Sequence, residues 1–335
     1  MTSGVGEKRM RKSWSRFFRL AAGVVAGLFC IAATQTATAE EGGRSVASLR
    51  VALIGVRSQE KLTAMWGPLL EDLGGSLGVT ASPQFFSDYA GVVWALKAGD
   101  VDVAWVGNKG AIQAVDVAGA EVFAQRIDLH GVAEYRSYLI TRAAYGLDSF
   151  DDVRVAGGEA VRRGGRFIVA FGDPNSTSGA VAPWYYLFHR NGLGFPDIFT
   201  AVRRGNHEDN FYAVARGEAH VGTISSQTFD RMCREEPQAC AALRVIWRSP
   251  GIPTDPLVWR GDLDSAIKAK VAAFFYDYGR ASPGKSTEAL TRQRERLALM
   301  LATGFRPSDN SQMAAVREID VYRAGGKPAG GEPVR

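Results

Sequence analysis

Residues 172–179 read Gly-Asp-Pro-Asn-Ser-Thr-Ser-Gly, preceded by the strand-like run Arg166–Phe171 and followed by an apolar, helix-like run from Ala180 to His189. Strand, turn and helix in this order mark a β–α junction. Gly172 and Pro174 make the turn. Ser176, Thr177 and Ser178 then place three hydroxyls, and several unpaired backbone N–H groups, at the start of the helix. A helix N-terminus with free N–H groups and the positive end of its dipole is an anion site. Three adjacent hydroxyls suit a tetrahedral oxyanion, because each can donate to a different oxygen. An ordinary Ser/Thr N-cap accounts for one of them without any ligand.

The same alternation extends outward. Val51–Gly55 reads as a strand and Ser58–Leu73 as an amphipathic helix. Val101–Val106 reads as a strand, followed by Gly107-Asn-Lys-Gly110 and a helix over Ala111–Ala118. Strands alternating with helices predict an α/β fold with mostly parallel sheets. One segment echoes another: Ala95-Leu-Lys-Ala-Gly-Asp-Val-Asp-Val-Ala-Trp105 aligns in register with Ala213-Val-Ala-Arg-Gly-Glu-Ala-His-Val-Gly-Thr223. Each reads as a helix end, a Gly/acid turn and a strand. A shared plan for two lobes follows if the match is more than chance. Ligands of such lobes sit at the carboxyl ends of the strands, which would gather Ser58, Gly107–Asn108 and Ser176–Ser178 at one cleft. Residues 262–279 and 286–302 are helical by period, and 324–335, rich in Gly and Pro, reads as a disordered tail.

The formal charge of +5 comes from the N-terminus. Six of the 40 Lys and Arg residues, but one of the 35 acids, lie within residues 1–39. The remainder is formally neutral, which gives no bulk case for nucleic acid as a partner. Residues 1–39 have the three parts of a secretory signal: basic residues to Arg19, an apolar run over Leu20–Ala33, and Ala37-Thr38-Ala39 before Glu40. The apolar run is short for a membrane span, although an uncleaved anchor is the competing reading. The bulky Phe29 before Cys30 argues against lipid attachment. Export to an oxidising compartment would let Cys233 and Cys240 pair; two free thiols are the alternative.

Several segments, taken together, resemble the periplasmic phosphonate-binding proteins of ABC transporters. They are Ser87-Asp-Tyr-Ala-Gly91, Val103-Ala-Trp-Val-Gly-Asn108, Gly172–Gly179, Gly205-Asn-His-Glu208, Val245-Ile-Trp-Arg-Ser-Pro250, Ile252-Pro-Thr-Asp-Pro-Leu-Val-Trp-Arg260 and Gly304-Phe-Arg-Pro307 with Val316-Arg-Glu318. The likeness runs from about residue 48 to 323. It implies a two-lobed type II periplasmic binding protein with the ligand between lobes, lobe one as 48–142 plus 256–323 and lobe two as 143–255. Hinges would lie near Arg142–Gly146 and Ser249–Thr254. It further implies a phosphonate head on Ser176, Thr177 and Ser178, with Tyr89 and His207 completing the shell. His207 could be protonated beside a bound dianion. Asp255 would face an ammonium on the ligand.

Two positions depart from the pattern of aminoethylphosphonate binders: Val106 stands where that group has a tyrosine, and Gln227 where it has a glutamate. One amine-pairing carboxylate is then missing, and a buried ammonium with one acid is poorly compensated. The ligand is therefore expected to carry a neutral, small or absent substituent, as in phosphite or methylphosphonate. An ABC permease is the implied partner, and no cofactor is implied.

Each residue also has a plainer reading. Tyr89 could be a packed rim tyrosine, Asp255 a turn residue, and His207-Glu208-Asp209 a solvated loop or metal cluster, although adjacent positions seldom aim at one ion. Trp66, Trp94, Trp105, Trp184, Trp247 and Trp259 read as core. A sensor with the same cleft and a kinase partner competes with the transport reading. So does a secreted phosphoester hydrolase, but Ser176 lacks a G-x-S-x-G elbow and the four histidines show no ligand spacing.

Overall fold

A computed structural model describes residues 48–55 and 58–323; the export signal, its cleavage point and the tail fall outside them. The chain begins β1 (Ser48–Ile54), α1 (Gln59–Leu77), β2 (Thr80–Phe86), α2 (Tyr89–Ala98), β3 (Val103–Trp105), α3 (Asn108–Ala118) and β4 (Glu121–Asp128). It continues through β5 (Glu134–Tyr135), β6 (Ser137–Arg142), α4 (Phe150–Arg162), β7 (Ile168–Phe171), a helical stretch over 177–191, β8 (Ala201–Arg204), α5 (His207–Ala215), β9 (Val221–Ser225), α6 (Ser226–Glu235), α7 (Pro237–Ala241) and β10 (Leu243–Arg248). It ends with β11 (Ile252–Pro253), β12 (Pro256–Trp259), α8 (Ser265–Asp277), α9 (Thr287–Leu299), β13 (Ala302–Pro307) and α10 (Ala314–Arg323).

Two mixed sheets result. The first has the order β13-β4-β12-β3-β1-β2 and the second β10-β6-β9-β7-β8. In each, three consecutive strands of the chain form a parallel unit with the first strand central: β2-β1-β3 and β8-β7-β9. The remaining strands join antiparallel, because the chain leaves each lobe and re-enters it: β12 on β3, β6 on β9.

The sequence echo is structural. Gly99 and Gly217 both close a helix with a left-handed φ, +74° and +72°, which glycine adopts without a Cβ clash. Three residues later, Asp102 and His220 make the same clamp. The Asp102 N–H donates to Arg50 O, and Arg50 N–H returns a bond to Asp102 Oδ2. The His220 N–H donates to Ile168 O, and Ile168 N–H returns one to His220 Nδ1. Each lobe thus uses one polar side chain to fix the start of its central strand against the end of the helix–turn unit.

The crossings correct one expected boundary. β6 was assigned to lobe one by the range 48–142, but it is hydrogen-bonded between β9 and β10 in the second sheet. The first crossing is therefore near residues 129–136, not at Arg142–Gly146. There β5 pairs with β11, which lies on the return crossing. Both edges of β6 are paired within the second sheet.

Alternating side chains fill both faces of the second sheet. Leu139, Val169 and Phe171 join a cluster with Phe188, Phe199 and Val153; Ile140 and Ala170 join one with Phe211, Val214 and Met232 on the other face. In the first lobe Trp66, Leu69, Val92, Leu53 and Phe275 belong to one continuous core.

Asp102 does more than clamp β1. Fully buried, it accepts from Arg50 Nε and Nη2 and from Arg260 Nε at 3.0–3.1 Å. Removing one partner from such a cluster leaves charge uncompensated in the interior. Asp102→Ala is expected to cost about 3 kcal/mol of unfolding free energy, read from the urea midpoint; an unchanged midpoint would show that the two arginines find water instead.

Candidate functional site

The turn after β7 is built by two glycines. A Cβ on Gly172 would lie 2.7 Å from Gly179 Cα, and one on Gly179 would lie 2.8 Å from Ser176 Oγ. Only two bare backbones pass this closely. Residues 177–181 and 184–188 coil as π-helix, a wider form than the α-helix expected from the apolar run. Pro183 has no N–H to offer the preceding turn. The carbonyls it leaves behind are met from outside: Gly179 O accepts from Gly172 N and Thr223 Oγ1, and Ser178 O from Ser137 Oγ. Short π segments of this kind recur at functional sites.

This geometry orients the three hydroxyls. Ser176 Oγ accepts from Gly179 N at 3.0 Å. Thr177 Oγ1 accepts from Lys109 N at 2.9 Å. That bond crosses the cleft to the start of α3, whose N-cap Gly107 has no side chain to cap it. Thr177 supplies the missing cap from the other lobe. With a lone pair occupied by a backbone donor, each hydroxyl keeps its proton to donate. Ser178 Oγ lies 3.4 Å from His207 Nε2.

The three side chains border a cavity of about 80 Å³ together with Tyr89, Gly107, Ser225, Thr228 and His207. The space suits a ligand of roughly five to eight non-hydrogen atoms, at 10–15 Å³ per water-sized site. Tyr89 opens α2 behind the N-cap Asp88. Its ring lies where a Cβ on Gly110 would approach to 2.8 Å, so the Gly107-Asn-Lys-Gly110 turn makes room for it. Burial, followed by the Asp255 charge, pushes the Tyr89 hydroxyl above its ordinary range, so it remains a donor. The starts of α3, α5, α6 and the 177 turn all meet here, at the carboxyl ends of β3, β8, β9 and β7.

The far end of the cavity holds charge. Arg126 Nη1 donates to Met300 O at 2.9 Å and Leu301 O at 3.0 Å, and Nη2 to Gln227 Oε1 at 2.5 Å. Leu301 is the one non-glycine with positive φ among the described residues, at +51°. Its left-handed backbone turns a carbonyl towards the guanidinium, at a cost of order 1 kcal/mol. Asp255, between β11 and β12, is lifted to about 6 by burial, against the opposing pull of Arg126 and a hydrogen bond from Tyr135.

His207 begins α5 behind the N-cap Asn206. Burial first, and Arg231 second, push its imidazole down to about 4. It is neutral in the ligand-free site, not pre-charged. Arg231 is itself held by Glu208 Oε1 and Glu235 Oε2, both at 2.7 Å. The His207-Glu208-Asp209 cluster therefore splits three ways: His207 faces the cavity, Glu208 holds Arg231, and Asp209 accepts from Asn206 N.

Tyr89, Ser176, Thr177, Ser178, His207, Gln227 and Asp255 all line the cavity. Val106 does not. It is fully buried behind the wall, and its N–H donates to Pro256 O. The wall at that point is made by Trp105 and Gly107. Ser58 is also elsewhere, exposed and capping α1. Trp94, expected in the core, is 60% exposed. Trp66 and Trp105 are buried as expected but also border the cavity. Sequence reasoning missed Arg126, Tyr135 and Arg231. For Arg126 the signal was present: Gln125-Arg126 interrupts the apolar strand Val122–Ile127, and a cation there must face a partner or a cleft. Cys233 and Cys240 form a disulfide joining α6 to α7, with Cα atoms 5.0 Å apart.

Residues 51–313 match the family model described as ABC transporter, phosphonate, periplasmic substrate-binding protein. The chain is 35% identical over 276 residues to the phosphonates-binding periplasmic protein of Escherichia coli K12, covering 82% of this chain and 77% of that one. Among solved structures it is similar to a binding protein component of an ABC phosphonate transporter from Pseudomonas aeruginosa, with TM-score 0.75, 32% identity and coverage of 84% and 87%. It also shares its fold with PhnD1 of Prochlorococcus marinus in complex with methylphosphonate, at TM-score 0.69 and 20% identity, over 83% of this chain and 98% of that one.

A histidine whose folded pKa is depressed stabilises the fold only while neutral. As pH falls from 6.5 towards 4, the unfolded chain takes up a proton that folded His207 refuses, so stability is lost. Wild-type protein without ligand is expected to lose stability relative to His207→Gln across this window, by at most about 1.4 kcal/mol per pH unit. Parallel urea titrations at pH 7, 5.5 and 4 measure it. A constant gap would mean that His207 titrates normally.

Proposed function

The chain belongs to the family of periplasmic phosphonate-binding proteins of ABC transporters, and we propose that its cleft captures a small phosphonate or related phosphorus oxyanion, such as methylphosphonate or phosphite. The observation that carries this is the hydroxyl arrangement. Ser176 and Thr177 have lone pairs engaged by backbone N–H groups, which turns their protons towards the cavity, where Ser176 also meets the Tyr89 hydroxyl. Tyr89 adds a donor without adding charge. Charge-assisted hydrogen bonds to a desolvated oxyanion can supply the roughly −8 to −12 kcal/mol of a 1 μM to 1 nM site.

Capture draws on both lobes. Lys109 N to Thr177 Oγ1, Arg126 to Gln227, and Lys61 to Glu208 at 3.7 Å all cross the cleft. A ligand touching both sides shifts the population to this closed form, which is then presented to the membrane permease. The reading contains no catalytic step. Ser178 and His207 are within reach of each other, but His207 Nδ1 has no carboxylate to orient it as a base. Export places the protein in the periplasm with Glu40 as its first residue.

Thermal-shift measurements on the exported protein test the site. Methylphosphonate at about 1,000 times Kd is expected to stabilise by roughly 4 kcal/mol, a rise of several degrees. Ser176→Ala/Thr177→Ala is expected to abolish the shift for every phosphorus oxyanion. A retained shift in the double variant would place the anion elsewhere, and an equal wild-type shift with sulfate would reduce the site to a general oxyanion trap. Release of inorganic phosphate from a phosphonate would overturn the non-enzymatic reading.

A further inference from the structure

Buried polar atoms without a hydrogen-bond partner concentrate in this one cavity. Among the described residues lining it, the unpartnered donors are Trp66 Nε1, Trp105 Nε1, Arg126 Nε, Arg231 Nε and Gln227 Nε2. The unpartnered acceptor is Asp255 Oδ1, and the ring nitrogen His207 Nδ1 is likewise without a partner. Three of these belong to the charged end of the cavity: Arg126 Nε, Gln227 Nε2 and Asp255 Oδ1. Arg126 and Gln227 are bonded to each other at 2.5 Å, and Asp255 is close enough to Arg126 for its charge to act on the guanidinium. The far end thus asks for a group that accepts from two donors and donates to one acceptor.

We propose that this end recognises a neutral hydroxyl, so that the site selects hydroxyalkyl phosphonates over their aminoalkyl counterparts; the proposal rests on the cleft being a phosphonate site. A hydroxyl has one proton to donate and two lone pairs to accept with. The proton suits Asp255 Oδ1, and the lone pairs suit Arg126 Nε and Gln227 Nε2. An ammonium brings three donors and no acceptor. It would satisfy Asp255 but leave both donors unpaired, with its charge beside the Arg126 guanidinium. A carboxylate brings acceptors alone, and would set like charge against Asp255. Burial lifts Asp255 to about 6, so at neutral pH it still presents an acceptor to the hydroxyl proton. The three groups come from β4, α6 and the return crossing between β11 and β12. A hydroxyl at their centre therefore bridges both lobes and the hinge.

The probes are 2-hydroxyethylphosphonate, 2-aminoethylphosphonate, ethylphosphonate and phosphonoacetate, titrated into the exported protein by calorimetry at pH 7.5, with methylphosphonate as reference. The hydroxyl compound is expected to bind tightest, by about tenfold or more over the amino and unsubstituted compounds, because a site built for a hydroxyl rejects analogues that leave its polar groups unpaired. Gln227→Glu exchanges a donor for an acid and is expected to move the hydroxyl-to-amino ratio towards the amine. Arg126→Met is expected to bring the hydroxyl compound down to the affinity of ethylphosphonate, and a ligand-free circular dichroism spectrum reports that the variant folds. Tightest binding of 2-aminoethylphosphonate or of phosphonoacetate overturns the proposal, as does equal affinity for the hydroxyl and unsubstituted compounds. Failure of all five to bind overturns the phosphonate reading itself, whereas methylphosphonate binding without hydroxyl selectivity overturns only the proposal.

Discussion

A polar atom sealed from water costs about 1–3 kcal/mol unless something bonds it, and a folded chain avoids that cost almost everywhere. Among the described residues the exceptions gather chiefly at one place. Trp66, Trp105, Arg126, Gln227, Arg231, His207 and Asp255 all carry sealed, unbonded atoms around the same cavity. The two lobes make this tolerable. Each has its own packed interior. The cleft is free to be a poor interior for the protein and a good one for a ligand that supplies the missing partners.

The two lobes reach the cleft by the same local chemistry. A glycine at positive φ ends a helix, a polar side chain three residues on clamps the central strand, and the next strand delivers its carboxyl end to the cavity. Asp102 does this in one lobe and His220 in the other. The side chains differ because their surroundings differ. Asp102 also gathers Arg50 and Arg260, whereas His220 stacks between Phe167 and Tyr145. The required function is one acceptor aimed at one backbone N–H, and either residue provides it.

Much of this was legible in the chain. The β–α junction at 172–179, the 95–105 and 213–223 echo, and the hydroxyl cluster are local features, and local geometry follows from local sequence. Tyr89, His207 and Asp255 were legible by likeness to a family rather than by spacing. Three things were not legible, each for a non-local reason. β6 was placed in the wrong lobe because an apolar strand does not announce which sheet will receive it. Val106 was given a place in the wall because it aligns with a tyrosine of the aminoethylphosphonate binders; here the shorter side chain packs into the first core instead. Arg126 was overlooked because its meaning depends on Gln227, Met300 and Leu301, which lie 101 to 175 residues away in sequence.

In the proposed reading, closure and recognition share atoms. Thr177 Oγ1 takes the Lys109 N–H from the opposite lobe, and that bond is what turns its proton towards the cavity. Gln227 takes Arg126 from the opposite lobe, and that bond fixes which side of its amide, the Nε2 donor, remains open. Opening the cleft would return both hydroxyl and amide to water and scatter their donors. A ligand that accepts from Thr177 at one end and from Gln227 at the other therefore has a differential affinity for the closed form, the sole means by which binding can shift a conformational population. An anion meeting only the Ser176–Ser178 turn would engage half of that leverage. The cross-lobe pairing of Arg126 with Gln227 makes the second half depend on what the ligand carries beyond its phosphorus.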